Sequence, residues 1–457
     1  MTVALLFPGQ GAYTPESARS LAESFPEVAD VYAEVDAGAR AAGAAPVSDV
    51  LLAAQPPATA ELVRNAPESL QLAIYAVSVA ISRLVTGSSA WSGVSMGHSL
   101  GEVAALQTGG ALSVAAGAQV VALRSRALRA VDGEGGLVAL ACSADRAHDL
   151  IAVVDDPGLA VAAMNAPRQT VVSGPHPALT ALTAVAGAVR IGATVLPSPY
   201  AFHNPGLERV SGDFASRIAG VPVEPLVRPV YSPILGRYYE ISDDIRAIVA
   251  SHLVAPVDFS SAVRQMRAAG VTTFVECASG STLGTLALKS AERAESVTAA
   301  QRGNERSAVA QARELLGGRE ITVAPATVPV GVPILRPTPT PTPTPTPAPP
   351  APVPASVSAG PSREELFSEL RDMYAQALEY PAEVFTEDVA LEAELGVDSV
   401  KQTELFARTV ERYELPQPSE AIALAQFDTM GKVVDLVWSL MTDAGRTAPA
   451  LTARSAA

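Results

Sequence analysis

Gly93-Val94-Ser95-Met96-Gly97-His98-Ser99-Leu100-Gly101-Glu102 is the stretch on which the fold turns. Its centre has the spacing G-x-S-x-G, which holds a serine at a sharp turn between a strand and a helix. Gly97 and Gly101 carry no Cβ, so the backbone can bend tightly and the following helix can come close. Gly93–Met96 reads as the strand and Glu102-Val103-Ala104-Ala105-Leu106 as the helix. A serine in that place sits over a helix N-terminus, whose unpaired N–H groups can stabilise an oxyanion as it forms. Five residues alone are often an ordinary turn. With the strand before and the helix after, Ser99 is the candidate nucleophile.

Upstream, Phe7-Pro8-Gly9-Gln10-Gly11 reads as a buried strand ending in a tight turn that can set Gln10 beside a site, although a plain strand-to-helix turn fits equally. Helical patterns cover Ser17–Ala42 and Pro67–Val85, and Gln71, among apolar neighbours in the second, reads as a satisfied structural residue. Downstream, a helix is expected over Val114–Val131. Its Arg124 follows Val120-Val121-Ala122-Leu123 and so points inward, where it needs an anion: a structural ion pair or a substrate carboxylate. Residues 135–196 alternate as strand Leu137–Cys142, helix Ala144–Val154, strands Leu159–Ala163 and Thr170–Ser173, helix Pro177–Ala188 and strand Val189–Leu196. That βαββαβ order is a ferredoxin-like unit inserted in a larger body. The body resumes with Ser198-Pro199-Tyr200-Ala201-Phe202-His203-Asn204-Pro205 and a helix to Ala219. Strand Arg228–Tyr231, helices Ile241–Leu253 and Phe259–Ala269, and strand Thr272–Glu276 follow. Strands alternating with helices indicate an α/β fold, ending near Gly318.

Residues 321–360 are a different polymer. Pro and Thr alternate from Pro337 to Pro347, a composition that cannot bury a core and favours extended polyproline II. Beyond it, Leu366, Leu370, Met373 and Ala377 share one helix face, and two further helices, to Tyr413 and over Thr429–Met441, make a small all-α bundle. From Pro361 onward there are 18 acidic against 8 basic residues, so much of the chain's net charge of −15 sits there. An acidic chain argues against nucleic acid or an anionic membrane surface as partner. Apolar runs break before the roughly 18–20 residues of a membrane span. Met1–Gly9 lacks the basic start of a signal peptide. Cys142 and Cys277 form no metal or disulfide pattern, so no metal and a cytoplasmic location are expected.

A serine nucleophile needs a base within hydrogen-bond reach. Of the five histidines, His98 should diverge from its neighbour Ser99, His148 lies on an amphipathic helix, His176 stands between prolines, and His252 ends an exposed-looking helix. His203, where the chain re-enters the large body, is the best placed.

Together, Pro8-Gly9-Gln10-Gly11, the Gly97–Glu102 turn, Arg124 and Phe202-His203 resemble the acyltransferase family of malonyl-CoA:ACP transacylases and polyketide synthase acyltransferase domains. The resemblance covers about residues 1–300 and extends to Asn165-Ala166-Pro167, Pro229-Val230-Tyr231-Ser232 and Phe274-Val275-Glu276. The acidic bundle resembles an acyl carrier protein through Leu395-Gly396-Val397-Asp398-Ser399, where Ser399 corresponds to the 4′-phosphopantetheine attachment site. The implied organisation is an acyltransferase over 1–320, with a large α/β-hydrolase-like subdomain built on a parallel sheet and the ferredoxin-like subdomain at about 130–200. A Pro/Thr/Ala-rich linker over 321–360, a carrier over 361–445 and a disordered tail over 446–457 follow.

The resemblance implies that His203 takes the Ser99 proton while the serine attacks an acyl-CoA thioester, with backbone N–H groups of Gln10 and Leu100 holding the oxyanion. It implies that Arg124 grips the free carboxylate of a malonyl-type group, and that Tyr200, Phe202, His98 and Asn165 line the substrate. Tyr200-Ala201-Phe202-His203 is a hybrid of the family's two common tetrapeptides. Bulky Phe202 should crowd an α-methyl group and so favours malonyl over methylmalonyl, a preference worth about 1–3 kcal/mol. The stretch Cys277-Ala278-Ser279-Gly280 replaces the family's usual Gly-Pro. Expected partners are acyl-CoA, the chain's own or a separate carrier, a phosphopantetheinyl transferase, and a ketosynthase and other synthase components in trans, for polyketide or fatty acid synthesis. Two other readings are a serine hydrolase or thioesterase, with His252 and Asp243 or Asp244 completing a triad, and a non-catalytic tethered carrier.

Overall fold

Val3–Phe7 is an unbroken apolar run, and such a strand is stable only with both faces covered. In the computed structural model it lies inside the larger of two sheets. Described are residues 2–317 apart from 16, 88–90, 92 and 302, and then 363–378, 385–387, 391, 405–406, 408–409, 412–413 and 429–443. The linker, Ser399 and the 446–457 tail lie outside the described residues.

In chain order the strands are β1 (Thr2–Phe7), β2 (Val94–Gly97), β3 (Gly135–Leu140), β4 (Ala160–Ala166), β5 (Gln169–Pro175), β6 (Ala193–Leu196), β7 (Val230–Ser232), β8 (Arg237–Tyr238), β9 (Val271–Glu276) and β10 (Glu295–Thr298). The large sheet runs β10-β9-β1-β2-β7-β8, parallel except for β8. Side chains alternate across β1 as the strand period requires. Val3, Leu5 and Phe7 face the helices Pro67–Thr86, Gly101–Thr108 and Val114–Leu128, while Ala4 and Leu6 face Met96, Phe259 and Phe274. The strand order departs in both directions from β1, and the crevice at the carboxyl ends of β1 and β2 is where such sheets place their sites.

Residues 135–196 form the second sheet, ordered β4-β5-β3-β6 and antiparallel throughout. Helices Ala144–Val154 and His176–Ala188 cover one face, where Val138, Leu140 and Val172 meet Leu150, Leu179 and Leu182. Val171 on the other face joins Phe259 and Val263 under the large sheet. This is the expected ferredoxin-like topology.

Boundaries moved where local chemistry overrode periodicity. The pattern over Ser17–Ala42 is two helices, Ser17–Ser24 and Val28–Ala41, parted around Pro26, which cannot continue a helix. The helix expected over Ile241–Leu253 covers only Ile245–Ser251, because Asp244 caps it by accepting from the Arg246 and Ala247 N–H groups. Asp243 holds the preceding turn through the Glu240 N–H and Arg237.

The chain divides into two units, Met1–Val330 and Gly331–Ala457. In the second, helices Arg363–Leu378 and Met430–Asp443 share an apolar cluster that includes Leu366, Leu370, Tyr374, Val434 and Val437. Among the described residues only Pro67–Thr86 is long and apolar enough to cross a membrane, and 78% of that apolar window is buried inside the protein.

Candidate active site

The close approaches at the turn explain its glycines. A Cβ on Gly97 would stand 2.1 Å from the Glu102 nitrogen, and one on Gly101 1.9 Å from the Phe7 carbonyl oxygen. The His98 N–H donates to the Phe7 carbonyl at 2.9 Å, which fastens the turn to the end of β1, and the Gly101 N–H returns to the His98 carbonyl at 3.0 Å. Ser99 is left with φ 53°, the left-handed region that a side chain disfavours by about 1–3 kcal/mol. No hydrogen bond among the described residues uses the Leu100 or Gln10 backbone N–H. Gln10 itself is fixed by its side-chain amide, which donates to the Pro197 carbonyl at 3.0 Å.

His203 meets this turn. Its Nε2 lies 2.7 Å from the Ser99 Oγ, and its Nδ1 lies 2.8 Å from the Ala255 carbonyl oxygen. A carbonyl only accepts, so Nδ1 carries the proton and the bare Nε2 is turned to the serine hydroxyl. Burial pushes the imidazole down to about 3, and neighbouring Arg124 adds to the effect. The ring is therefore neutral at ordinary pH and able to accept a proton. His203 also has a left-handed φ of 57°. The Asn204 side chain steadies it from the next position, donating to the Gly158 carbonyl and to Ser173 in the small subdomain.

Arg124 is 3% exposed, as its apolar lead-in predicted. Its Nη1 donates to the Gln71 Oε1 at 2.6 Å, and its guanidinium lies 4.6 Å from the ring centre of Phe202. No carboxylate among the described residues pairs with it, so the structural ion pair is excluded there. Burial lowers its pKa to about 10, still well above neutrality. A buried cation facing only an amide and a ring retains unused N–H groups for an anion. Tyr200 packs edge-on against Phe202 at 5.4 Å, so the tetrapeptide before the base forms one wall beside the guanidinium.

His98 diverges from Ser99 as expected. Its Nε2 lies 2.8 Å from the Asn165 Oδ1 on β4, its ring packs on Phe259, and burial lowers its pKa. Ser99 and His203 thus meet, with Arg124, Phe202 and Tyr200 packed beside them, while His98 of the turn is joined to Asn165 of the small subdomain and Gln10 to Pro197.

One expectation needs correction. His252 is not exposed: it is 2% accessible, because the chain turns inward where the helix stops and sets its Nε2 3.4 Å from the Glu102 Oε1. Asp243 and Asp244 are committed to Arg237 and to the helix cap, so no hydrolase triad forms around His252. Gln71 is satisfied, as expected, and the partner that satisfies it is Arg124. Its apolar neighbours gave no sign of this, and only the pairing of two buried polar residues on adjacent helices could have. Among the described residues no group of three or more His, Cys, Asp and Glu could hold a metal.

Fold and site define an α/β protein with a serine–histidine pair at a strained strand-to-helix turn and a buried, acid-free arginine beside it. A family model described as the acyl transferase domain matches residues 4–316, and the chain belongs to that family. Erythronolide synthase EryA3 of Saccharopolyspora erythraea is 35% identical over 274 residues, 60% of this chain and 8% of that protein. The spectinabilin polyketide synthase system protein NorA of Streptomyces orinoci is 30% identical over 73% of this chain and 18% of its own length. The chain thus spans less than a fifth of these curated relatives. Among solved structures, a loading acyltransferase from the avermectin modular polyketide synthase aligns with TM-score 0.62 and 28% identity, over 68% of this chain and 99% of that one. Malonyl-CoA:acyl carrier protein transacylase (FabD) from Xanthomonas oryzae pv. oryzae gives 0.61 and 25%, over 68% and 98%.

Proposed function

We propose that the chain moves a malonyl-type acyl group from coenzyme A through Ser99 to the thiol of an acyl carrier protein, in polyketide or fatty acid synthesis. The observation that carries this reading is the 2.7 Å contact between the Ser99 Oγ and the His203 Nε2, with Nδ1 engaged by the Ala255 carbonyl. As Oγ bonds to the thioester carbonyl carbon, His203 takes the hydroxyl proton. The developing oxyanion is met by the Leu100 and Gln10 N–H groups. Collapse breaks the carbon–sulfur bond, and His203 passes its proton to the departing sulfur. In the second half His203 removes the proton of the acceptor thiol, the acyl carbon moves from Oγ to sulfur, and the proton returns to Ser99.

Arg124 would hold the free carboxylate of the acyl group by paired hydrogen bonds, with Gln71 and the Phe202 face keeping the guanidinium in place. The Phe202 and Tyr200 rings narrow the space beside it, which favours malonyl over a branched extender. Asn165 supports the turn from the small subdomain through its contact with His98.

The acceptor would be the chain's own carrier, with 4′-phosphopantetheine on Ser399, or a separate one. Ser399 rests on the Leu395–Ser399 sequence and on the acidic composition around it, and a phosphopantetheinyl transferase would be needed to modify it. A ketosynthase would act in trans, and acyl-CoA substrate suits the cytoplasm. Incubating holo-protein with labelled malonyl-CoA tests the reading: label should appear on Ser99 and then on a carrier thiol. Release as free malonate without a thioester product would point to a hydrolase instead.

A further inference from the structure

Glu102 ends the decisive stretch, on the first turn of the helix that follows Ser99, and its side chain is fully buried. A carboxyl group taken out of water needs partners. Its Oε1 accepts a 2.7 Å hydrogen bond from the Tyr239 hydroxyl and lies 3.4 Å from the Nε2 of His252, itself buried. The imidazole contact is too poorly aligned to be a hydrogen bond, and among the described residues Glu102 Oε2 has none. The trio is therefore a packed polar cluster beneath the turn.

His252 opens a segment that serves the other half of the site. The Leu253 carbonyl accepts from the Asn204 N–H at 3.2 Å, and the Ala255 carbonyl accepts from the His203 Nδ1 at 2.8 Å. Val257 then bonds to β4, accepting from the Met164 N–H and donating to the Ala162 carbonyl. The segment that holds the imidazole is thus hydrogen-bonded to the small sheet at one end and, through His252, packed against Glu102 on the helix of Ser99 at the other. Ser99 and His203 both have left-handed φ, at 53° and 57°, a conformation that persists only where the surroundings over-determine it.

The geometry points to Glu102, His252 and Tyr239 as a positioning cluster for the serine–histidine pair. By joining the 252–255 segment to the serine's own helix, the cluster sets the place of the Ala255 carbonyl, and that carbonyl fixes the tautomer and aim of His203. The inference rests on the reading of His203 as the base.

The test uses the full chain labelled with ¹⁵N-histidine, the His203 signals being identified by their loss in His203→Gln. The unaltered protein should show a neutral ring protonated at Nδ1 alone. In His252→Ala that signature should give way to mixed tautomers, and kcat for acyl transfer should fall about 10–100-fold with KM for acyl-CoA little changed. His252→Asn, which keeps a polar side chain packed against Glu102, should restore most of both. Tyr239→Phe should show a smaller shift in the same direction, and it carries the test if His252→Ala does not fold. An unchanged His203 signature in His252→Ala overturns the inference, as does Asn behaving no better than Ala. If the signature collapses while transfer is untouched, the cluster positions His203 as argued, and it is the catalytic reading of His203 that fails.

Discussion

Replacing Arg124 by Met keeps the volume and removes the charge. The side chain is 3% exposed, and among the described residues its guanidinium has one hydrogen-bond acceptor, an amide oxygen at 2.6 Å, and one ring face at 4.6 Å. A carboxylate arriving there gains two charge-assisted hydrogen bonds in a site closed to water, and removing one partner of a buried ionic pair costs about 3–5 kcal/mol. At about 1.4 kcal/mol per factor of ten, kcat/KM for malonyl-CoA should fall by two to almost four orders of magnitude. Acetyl-CoA makes no use of the guanidinium and should change by no more than a few fold. Stability should change little, since no acid among the described residues pairs with Arg124 and its burial is unfavourable in the empty site, while Gln71 Oε1 loses its donor. The assay is acyl-enzyme formation measured by mass spectrometry with the two donors in competition, alongside thermal unfolding. An equal fall for malonyl and acetyl, or a malonyl loss below tenfold, would refute the assignment of Arg124 to the acyl carboxylate.

Three other outcomes follow from the same chemistry. Because His203 is held near 3 against an ordinary 6.5, the free enzyme's kcat/KM should show no acid limb around pH 6–7, and an inflection there would place the imidazole in a more solvated setting. Glu276, fully buried, is raised from 4.5 to about 7 by desolvation, so its contribution to stability is complete below pH 4.5 and fades as pH rises through 7. Glu276→Gln should therefore raise the Tm at pH 8 and leave it nearly unchanged at pH 5, as calorimetry would show; equal effects at both would contradict the shift. Gly101→Ala puts a methyl group 1.9 Å from the Phe7 carbonyl oxygen and should cost about 1–3 kcal/mol or more in denaturant unfolding, whereas an unaltered midpoint would mean the turn is looser than described.

Much of the candidate site's geometry was legible because its parts carry local signatures. Ser99 is marked by the glycines its turn demands, Arg124 by the apolar run that carries it inward, and the small subdomain by a strict order of elements. His203 could be reached by elimination only because the chain has five histidines. What was hidden depends on contacts between distant segments. His252 looked exposed because nothing in Ser251-His252-Leu253 reveals that its helix stops at Ser251 and turns the ring onto Glu102. The partner of Gln71 was hidden, because an amide among leucines gives no hint of a guanidinium 53 positions away. Short edge strands such as β8, two residues long, have no periodicity to read.

The central claim is that the acyl group rests on Ser99. Brief exposure of the protein to malonyl-CoA, acid quench and peptide mapping tests it most directly. One malonyl group should be found on the peptide containing Ser99, absent in Ser99→Ala and sharply reduced in His203→Ala. A malonyl adduct that persists at full level in Ser99→Ala, or that maps to another residue in the unaltered protein, would contradict it.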